Sequence, residues 1–262
     1  MESFPSLILP MMAVAGPQPT NPDAFAAELK WDGVRVIAHV RDGAVRLVSR
    51  NGRDVSESYP DLAALGELLD EPAVLDGEIV AFDQAGRPNF GTLQARMHVR
   101  QPSQRLLASV PVFYQVFDVL HVAGWSTLRM PYQQRRDLLD QLDLDGPRVQ
   151  VPPCFPGGGA SVLDSARQQG LEGVVSKRLD SPYLPGRRSD LWRKTKITAM
   201  QEVVIGRVEA RRRPPGRDDR LPAAGRSRRA WPASLCRWRG HRLHRGHAAR
   251  PGEPAAATEP NQ

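Results

Sequence analysis

Residues 34–50 hold the feature that most restricts the fold, namely two strand-like runs joined by a tight turn. The run VRVIAHV is followed by RDGA, and then by VRLVSR and a second turn at NGR. Runs of this length around an Asp-Gly turn are typical of antiparallel β-hairpins. The hairpins argue against a purely parallel sheet.

The rest of residues 1–206 mixes strand and helix patterns. We expect further strands in AVLDGEIVAFD, PVFYQVFDVLH, EGVVSKRL and SDLWRKTK. We expect helices in YPDLAALGELLD, NFGTLQARMH, PYQQRRDLLDQL and GASVLDSARQQG. The first of these helices has leucines at helical spacing, and Pro131 would open the third. The mixture predicts an α+β fold in which antiparallel sheets are flanked by helices.

The segment 207–262 has a different composition. It contains 14 arginines, no lysine and five acidic residues, so the formal charge of +7 leaves residues 1–206 at −2. Its residues show no period of 2 or 3.6 and include few aliphatics, so burial cannot offset the entropy of ordering. We therefore expect one domain over 1–206 and a largely disordered Arg/Pro-rich tail. The net positive charge would suggest a polyanionic partner, but it comes from the tail alone.

The positions of the cysteines and prolines help to predict the cellular compartment of the protein. Cys154 and Cys236 lie far apart without a CxxC pair, which argues against a disulfide framework or a zinc site. Prolines at positions 5, 10 and 17 interrupt the apolar N-terminus, which is a poor signal peptide. No apolar run approaches the roughly 20 residues that span a bilayer. We expect a soluble, cytoplasmic, monomeric protein with no membrane partner.

Lys30 stands in the segment ELKWDGVR, between two acids and beside a bulky tryptophan. A lysine amine attacks phosphorus only when it is neutral, and the ordinary lysine pKa of about 10.4 must fall for that. Nearby acids act in the opposite direction. Either those acids face away from Lys30, or bound metal and basic residues from other segments outweigh them.

Such basic residues stand in several segments. Arg35 follows in the next strand, Arg50 precedes the NGR turn, and WRKTK places Lys194 and Lys196 on one side of a strand. Two ammonium groups on one face suit a phosphate site. Three carboxylates could hold Mg²⁺ through one or two oxygens and leave room for phosphates. They are Asp76, Glu78 and Glu172.

Six segments taken in order resemble the motifs of the ATP-dependent DNA ligases, within the covalent nucleotidyltransferase superfamily. KWDGVR resembles the KxDGxR nucleophile motif, and SRNG, LDGEIVAFD, YQVFDVLH, EGVVSKR and LWRKTK resemble the motifs that follow it. The stretch PNFGTLQARMH is similar to the small bacterial ligases of break repair and end joining. The similarity covers roughly residues 5–205. One short pattern arises often by chance, whereas six ordered motifs are specific.

The resemblance implies a nucleotidyltransferase (ATP-grasp-like) fold and a three-step reaction with ATP and Mg²⁺ or Mn²⁺. Lys30 would attack the α-phosphate of ATP and carry AMP as a phosphoramidate. AMP would pass to the 5′-phosphate of a nick, and the 3′-hydroxyl would then displace it and seal the strand. The implied partners are nicked double-stranded DNA and end-joining repair proteins.

The resemblance also implies roles for residues around the nucleotide. Glu28 would help to recognise adenine, and Phe117 would stack on the adenine face. Arg35 and Arg50 would contact AMP or the nick phosphate. Asp32 would orient the loop, and Gly33 would allow its turn.

Further roles concern the phosphates and the metal. Glu78 would bind the ribose or a metal, and Glu172 would bind metal. Lys194 and Lys196 would hold the α-phosphate and favour the neutral amine of Lys30. Lys177 has a lower claim, because its SK context is compatible with a mere surface position.

Ligases of this type continue into an OB-fold domain, and the match to this pattern ends at QEVVIG. We expect the tail to stand in place of that domain, through absence or a shifted reading frame, and the activity to be impaired. Two alternatives stay open. One is an RNA ligase or a capping-type nucleotidyltransferase, and the other is a non-catalytic nucleic-acid-binding relic.

Overall fold

The computed structural model describes residues 3–197, which form two β-sheets with four short α-helices packed around them. The expected tail over 207–262 lies outside these residues. The mixture of hairpins and helices confirms the α+β prediction.

The strands of the described residues are, in chain order, β1 (Met12–Ala15), β2 (Phe25–Leu29), β3 (Val34–Arg41), β4 (Ala44–Ser49), β5 (Ala73–Ala81), β6 (Val112–Val122), β7 (Trp125–Ser126), β8 (Val149–Gln150), β9 (Phe155–Pro156), β10 (Gly173–Arg178) and β11 (Arg188–Lys196). The α-helices are α1 (Phe90–Gln94), α2 (Gln104–Ser109), α3 (Tyr132–Gln141) and α4 (Gly159–Gln168). Short 3₁₀ helices span Pro22–Ala24, Ser56–Ser58 and Pro60–Glu67. None of the helices in residues 3–197 is long and apolar enough to cross a membrane.

The strands divide into two sheets. Sheet A has the order β1-β11-β10-β2-β9, and sheet B has the order β4-β3-β5-β6-β7 with β8 added beside β6. Most neighbours are antiparallel, while β1 with β11 and β6 with β8 are parallel. The β3–β4 hairpin turns through Asp42 and Gly43, whose φ angles are 51° and 73°. The two positive φ angles are those that a two-residue hairpin turn requires.

Alternation along β3 separates two cores. Val36, Ala38 and Val40 point into a large apolar cluster on the outer face of sheet B. Ile37 points the other way and packs with Trp192 of β11 between the two sheets. Because successive side chains of a strand face opposite sides, one short segment supplies both layers. The inner layer fixes the position of sheet A against sheet B.

The segment Pro60–Glu67 forms a 3₁₀ helix, where the leucine spacing predicted an α-helix. Leu62 and Leu65 are both fully buried in the outer core. Residues three apart are eclipsed in a 3₁₀ helix, so this pair points into the core from one line. The sequence therefore predicted correctly that the leucines face the core, and it predicted the wrong type of helix.

A buried ion pair ties α3 to the sheets. The guanidinium of Arg135 donates two hydrogen bonds to the carboxylate of Asp118 on β6, at 2.8 and 2.9 Å. It also donates to the backbone carbonyl of Ser181, beyond β10, at 2.9 Å. Both side chains are fully buried. This guanidinium therefore links an element of sheet B, a helix and the chain that leaves sheet A.

Removing one partner of this pair should destabilise the domain strongly. Arg135→Met leaves the carboxylate of Asp118 buried and uncompensated, and we expect a loss of about 3–5 kcal/mol in the free energy of unfolding. Adding Asp118→Leu should recover a large part of the loss. Urea denaturation followed by circular dichroism measures both. Arg167→Met, in an exposed pair on α4, is the control and should cost less than about 0.5 kcal/mol. Equal losses in the two single variants would contradict the assignment.

Candidate functional site

A cleft opens where the ends of both sheets meet the segment 10–13. Sheet A and the chain that continues it contribute one wall, and sheet B contributes the other. The lining residues include seven that the sequence singled out: Glu28, Lys30, Arg35, Arg50, Glu78, Phe117 and Lys194. Side chains that lie up to 166 positions apart in the chain, from Glu28 to Lys194, therefore meet in one cavity.

Strand register explains the charged wall of sheet A. Val175 of β10 stands directly between Glu28 on β2 and Lys194 on β11. Two residues earlier in β10, Gly173 lies opposite Lys196. Its carbonyl accepts a hydrogen bond from the backbone N–H of Lys30 at 2.9 Å. The alternation that put the two β11 lysines on one face thus also aligns them with Glu28 and Lys30.

Glu172 lies between two lysines. One carboxylate oxygen accepts a hydrogen bond from Lys30 Nζ, and the other accepts one from Lys196 Nζ at 2.8 Å. Partial burial alone would raise the pKa of Glu172, but the hydrogen bonds from Lys196 and Lys30 outweigh it and lower that pKa. Glu172 and Lys196 both lie outside the immediate cleft lining, and Lys196 reaches the site only through the contact of Glu172 with Lys30.

Two glycines allow the backbone to bring these groups together. A Cβ at Gly33 would lie 2.1 Å from the carbonyl oxygen of Ile79, so β5 can approach only a glycine there. The sequence predicted that Gly33 permits a turn, and the chain does bend there, but the close approach is the stronger requirement. Gly173 has φ of +149°, and a Cβ there would lie 2.1 Å from Thr195 O. Gly173 therefore fixes where Glu172 stands.

Lys177 was assigned a possible surface position, and the structure corrects this. Its side chain is 2% exposed and forms an ion pair of 2.7 Å with Glu28. Its ammonium lies over the rings of Phe117, Trp192 and Tyr132, at 4.3, 4.4 and 4.9 Å from the ring centres. An ammonium surrounded by aromatic faces and one carboxylate is a stable buried cation. The SK context does not reveal this, because the aromatic groups come from three distant elements.

Arg35 is committed to an internal contact. Its guanidinium forms a bidentate pair with Asp76, at 2.5 and 2.6 Å, and lies 4.4 Å from the centre of the Phe117 ring. Asp76 also accepts a hydrogen bond from the hydroxyl of Tyr183 and is fully buried. Asp76 also lies outside the cleft lining, so the suggestion that it helps to hold Mg²⁺ is wrong for this arrangement, whereas the side chain of Glu172 is 21% exposed.

Three cations of the cleft have no acid as a partner. Within residues 3–197, none of Arg50, Arg188 and Lys194 takes part in an ion pair, although all three line the cavity. Burial, together with the charges of Lys30, Arg188 and Lys196, lowers the pKa of Lys194. Arg188, which the sequence did not single out, lines the cleft and donates a hydrogen bond to Ala13 O. This excess of positive charge would attract an anion.

Two further carboxylates face this region. Burial raises the pKa of Glu78 to about 7, although Arg35 and Lys30 oppose the shift. Partial burial and the charge of Glu172 raise the pKa of Asp32, which lies outside the cleft lining. A carboxyl group poised near neutral pH in a cleft is typical of functional sites.

The described residues contain no group of three or more His, Cys, Asp or Glu placed to hold a metal ion. The donors that fit are Glu172 and Glu78, which are separate carboxylates beside the excess cations. Mg²⁺ is commonly held by one or two carboxylates together with substrate phosphates. The site fits that mode and does not fit a closed protein cage.

Comparisons with known proteins show which family the described part of the chain resembles. The profile of a family described as "ATP dependent DNA ligase domain" matches residues 10–196. The multifunctional non-homologous end joining protein LigD of Mycolicibacterium smegmatis is 41% identical over 204 residues, which is 77% of this chain. The SPbeta prophage-derived DNA ligase-like protein LigB of Bacillus subtilis is 31% identical, over 76% of this chain and 70% of LigB.

A solved structure gives the same picture. The ligase domain of LigD from M. tuberculosis has a TM-score of 0.64 at 40% identity, over 72% of this chain and 60% of that chain. A mycobacterial DNA ligase D complexed with ATP and MES has the same score, identity and coverage. This chain spans about a quarter of the full length of the mycobacterial LigD proteins that it matches.

The raised pKa of Glu78 predicts a pH-dependent stability difference. The unfolded chain releases this proton near pH 4.5 and the folded chain near pH 7, so the carboxyl group weakens folding as the pH rises between them. Glu78→Gln removes that effect. We expect the variant to unfold a few degrees above the parent at pH 8, with the gap closing below pH 4.5.

Thermal denaturation at several pH values measures the difference. Glu67→Gln, at an exposed position, is the matched control and should follow the parent at every pH. A gap between Glu78→Gln and the parent that does not change with pH would rule out the titration of Glu78 as its cause.

Proposed function

This chain belongs to the family of ATP-dependent DNA ligase domains, and we propose that it transfers AMP from ATP through Lys30 to nicked DNA. One observation carries the proposal. The amine of Lys30 lies in a cleft beside an acceptor, Glu172, and the same cleft is lined by Arg50 and Lys194, which take part in no ion pair within residues 3–197. A nucleophile, a proton acceptor and an anion site are the parts that nucleotidyl transfer needs.

The first step is the attack of Lys30 on the α-phosphate of ATP. An ammonium has no lone pair, so Nζ must lose a proton before it attacks. Glu172 Oε2 already accepts a hydrogen bond from that nitrogen and is the group to which the proton can pass. The new N–P bond forms as the bond from the α-phosphorus to the pyrophosphate oxygen breaks. Lys196, on the other oxygen, holds the carboxylate in place.

The phosphates of ATP would lie against Arg50 and Lys194. Lys194 stands level with Glu28 in the register of sheet A and lines the same cleft as Lys30, and Arg50 follows the end of β4. Their charges would stabilise the negative charge that develops on the transferred group.

Mg²⁺ or Mn²⁺ would be held by Glu172, with Glu78 as the second carboxylate, and when bound would neutralise phosphate charge and polarise the α-phosphorus. Glu78 would then be ionised. Its raised pKa means that this ionisation releases a proton at neutral pH.

The base would lie at the inner end of the cleft. Glu28 accepts hydrogen bonds and would accept one from the amino group of adenine. The ring of Phe117 would stack on the base, although it is 7% exposed and Arg35 covers part of it at 4.4 Å. We propose that Arg35 keeps its pair with Asp76 and directs its remaining N–H groups, at the cleft lining, toward a phosphate.

The later steps pass AMP to the 5′-phosphate of a nick and seal the strand. The LigD relatives are named for non-homologous end joining. By analogy we propose that the substrate of this chain is nicked duplex DNA formed during break repair, and that end-joining proteins are its partners.

Label from [α-³²P]ATP should become covalently attached to the full chain in the presence of Mg²⁺. Lys30→Ala and Lys30→Arg should abolish the labelling, because neither side chain offers a neutral amine. Denaturing gels measure it, and a nicked duplex with labelled 5′-phosphate measures sealing. Labelling of Lys30→Ala equal to that of the parent would refute the assignment of the nucleophile.

Glu172→Gln should slow self-adenylation by roughly 10²-fold or more, because the proton acceptor of Lys30 is lost. Single-turnover labelling at saturating ATP gives the rate constant. Glu71→Gln, at an exposed position before β5, should leave the rate unchanged. A normal rate in Glu172→Gln would assign proton removal to another group.

A further inference from the structure

Tyr132 is the first residue of α3, and its side chain is fully buried. Its hydroxyl donates a hydrogen bond to Glu28 Oε1. The ammonium of Lys177 donates to the other oxygen, Oε2, at 2.7 Å. The Glu28 carboxylate therefore has one donor on each oxygen, from two different elements, and its plane cannot rotate without breaking one of these bonds.

The direction of these hydrogen bonds follows from the number of protons. A tyrosine hydroxyl has one proton, and Glu28 takes it as an acceptor. The thiol of Cys154, 3.4 Å from the same hydroxyl oxygen, must then be the donor in that contact. Burial, with the charge of Glu28, raises the pKa of Tyr132, and burial raises the pKa of Cys154. Both groups therefore keep their protons, and the chain of donors points toward Glu28.

The position of Tyr132 is set by the core and not by the cleft. Three residues along α3, Arg135 is held by Asp118 of β6 and by the carbonyl of Ser181. Arg136 beside it donates to the carbonyl of Pro152 at 2.7 Å. The helix start is thus fastened at several buried points, and the hydroxyl is presented to Glu28 from a rigid frame.

Glu28 also lines the cleft, so part of its capacity to accept hydrogen bonds faces the ligand. A carboxylate has about four lone-pair positions, and Tyr132 and Lys177 use two of them. A purine with a 6-amino group offers a donor to one of the others. A purine with a 6-oxo group, or with hydrogen at that position, offers none there.

We propose that Tyr132 is a positioning residue for base selection, because its hydroxyl fixes the plane of the Glu28 carboxylate and aims a free lone pair at a purine 6-amino group. This rests on the proposed function, since it assumes that the base of ATP reaches Glu28. Tyr132 itself does not touch the nucleotide. Its effect is on the preference among bases and not on the transfer of the phosphoryl group.

The test compares ATP with purine riboside 5′-triphosphate, which has hydrogen in place of the amino group. Both are labelled at the α-phosphate and used with the full-length parent and with Tyr132→Phe. For the parent we expect a clear preference for ATP. In Tyr132→Phe the half-saturating concentration of ATP should rise about tenfold and the preference should fall by a similar factor, one hydrogen bond being worth about this much. The rate constant at saturation should change less than twofold.

Tyr114→Phe is the matched control. Tyr114 is also fully buried, and its single hydroxyl proton is shared between the backbone carbonyls of Val36 and Leu75, away from Glu28. Its loss should lower the melting temperature and leave the preference for ATP intact. A second variant, Cys154→Ala, should reduce the preference in the same direction as Tyr132→Phe and by less.

A double-mutant cycle with Glu28→Gln separates positioning from general stability. Adding Tyr132→Phe to Glu28→Gln should change the preference no further, because the carboxylate on which Tyr132 acts is gone. Unchanged preference in Tyr132→Phe, or full additivity in the cycle, would overturn the proposal.

Equilibrium binding of the two triphosphates, followed by tryptophan fluorescence, keeps the two proposals distinct. A parent that binds ATP selectively without becoming labelled would refute the proposed transfer reaction and support base selection. A parent that becomes labelled but binds both triphosphates equally would refute base selection alone.

Discussion

The Glu172 carboxylate, held between the ammonium groups of Lys30 and Lys196, is the interaction on which the rest of the cleft depends. Without an acid between them, the ammonium groups of Lys30, just after β2, and of Lys196, at the end of β11, would repel each other across β10. The acid reaches this point because the glycine after it, Gly173, accepts the close approach of β11. The same carboxylate is an acceptor for the proton of the nucleophile, so one group serves both the fold and the chemistry.

The other charges of the cleft divide according to their partners. Lys177 with Glu28, and Arg35 with Asp76, are internal pairs that fix the inner wall and the aromatic groups around it. Arg50 and Lys194 take part in no ion pair within residues 3–197. Buried pairs add little net stability, because desolvation offsets attraction. The Lys177–Glu28 and Arg35–Asp76 pairs matter here for geometry. They leave an excess of positive charge at one place in the cleft, where a polyphosphate would lie.

The sequence predicted the fold class, while the roles of its site residues stay predictions. Strong alternation and an Asp-Gly turn identified β3 and β4. The ordered motifs named Lys30 and Lys194, which line one cleft, and Glu172, which lies outside the lining and contacts Lys30. The same reasoning placed an α-helix at Pro60–Glu67, because leucine spacing does not distinguish an α-helix from a 3₁₀ helix whose side chains are eclipsed. It also undervalued Lys177, since burial among three aromatic rings depends on contacts between distant segments. Tyr132 has no motif at all, and only its hydrogen bond to Glu28 reveals it.

Lysine usage gives an independent argument that the cleft is more than a structural feature. The chain has 36 basic residues, and only four of them are lysines: Lys30, Lys177, Lys194 and Lys196. Three of the four line the cleft, and the fourth shares Glu172 with Lys30. Elsewhere arginine supplies the positive charge, so a general need for cations does not explain lysine at these positions. Lysine differs from arginine in being a compact point charge that can lose its proton. A compact ammonium suits the aromatic surroundings of Lys177, and a neutral amine is what nucleophilic attack by Lys30 requires.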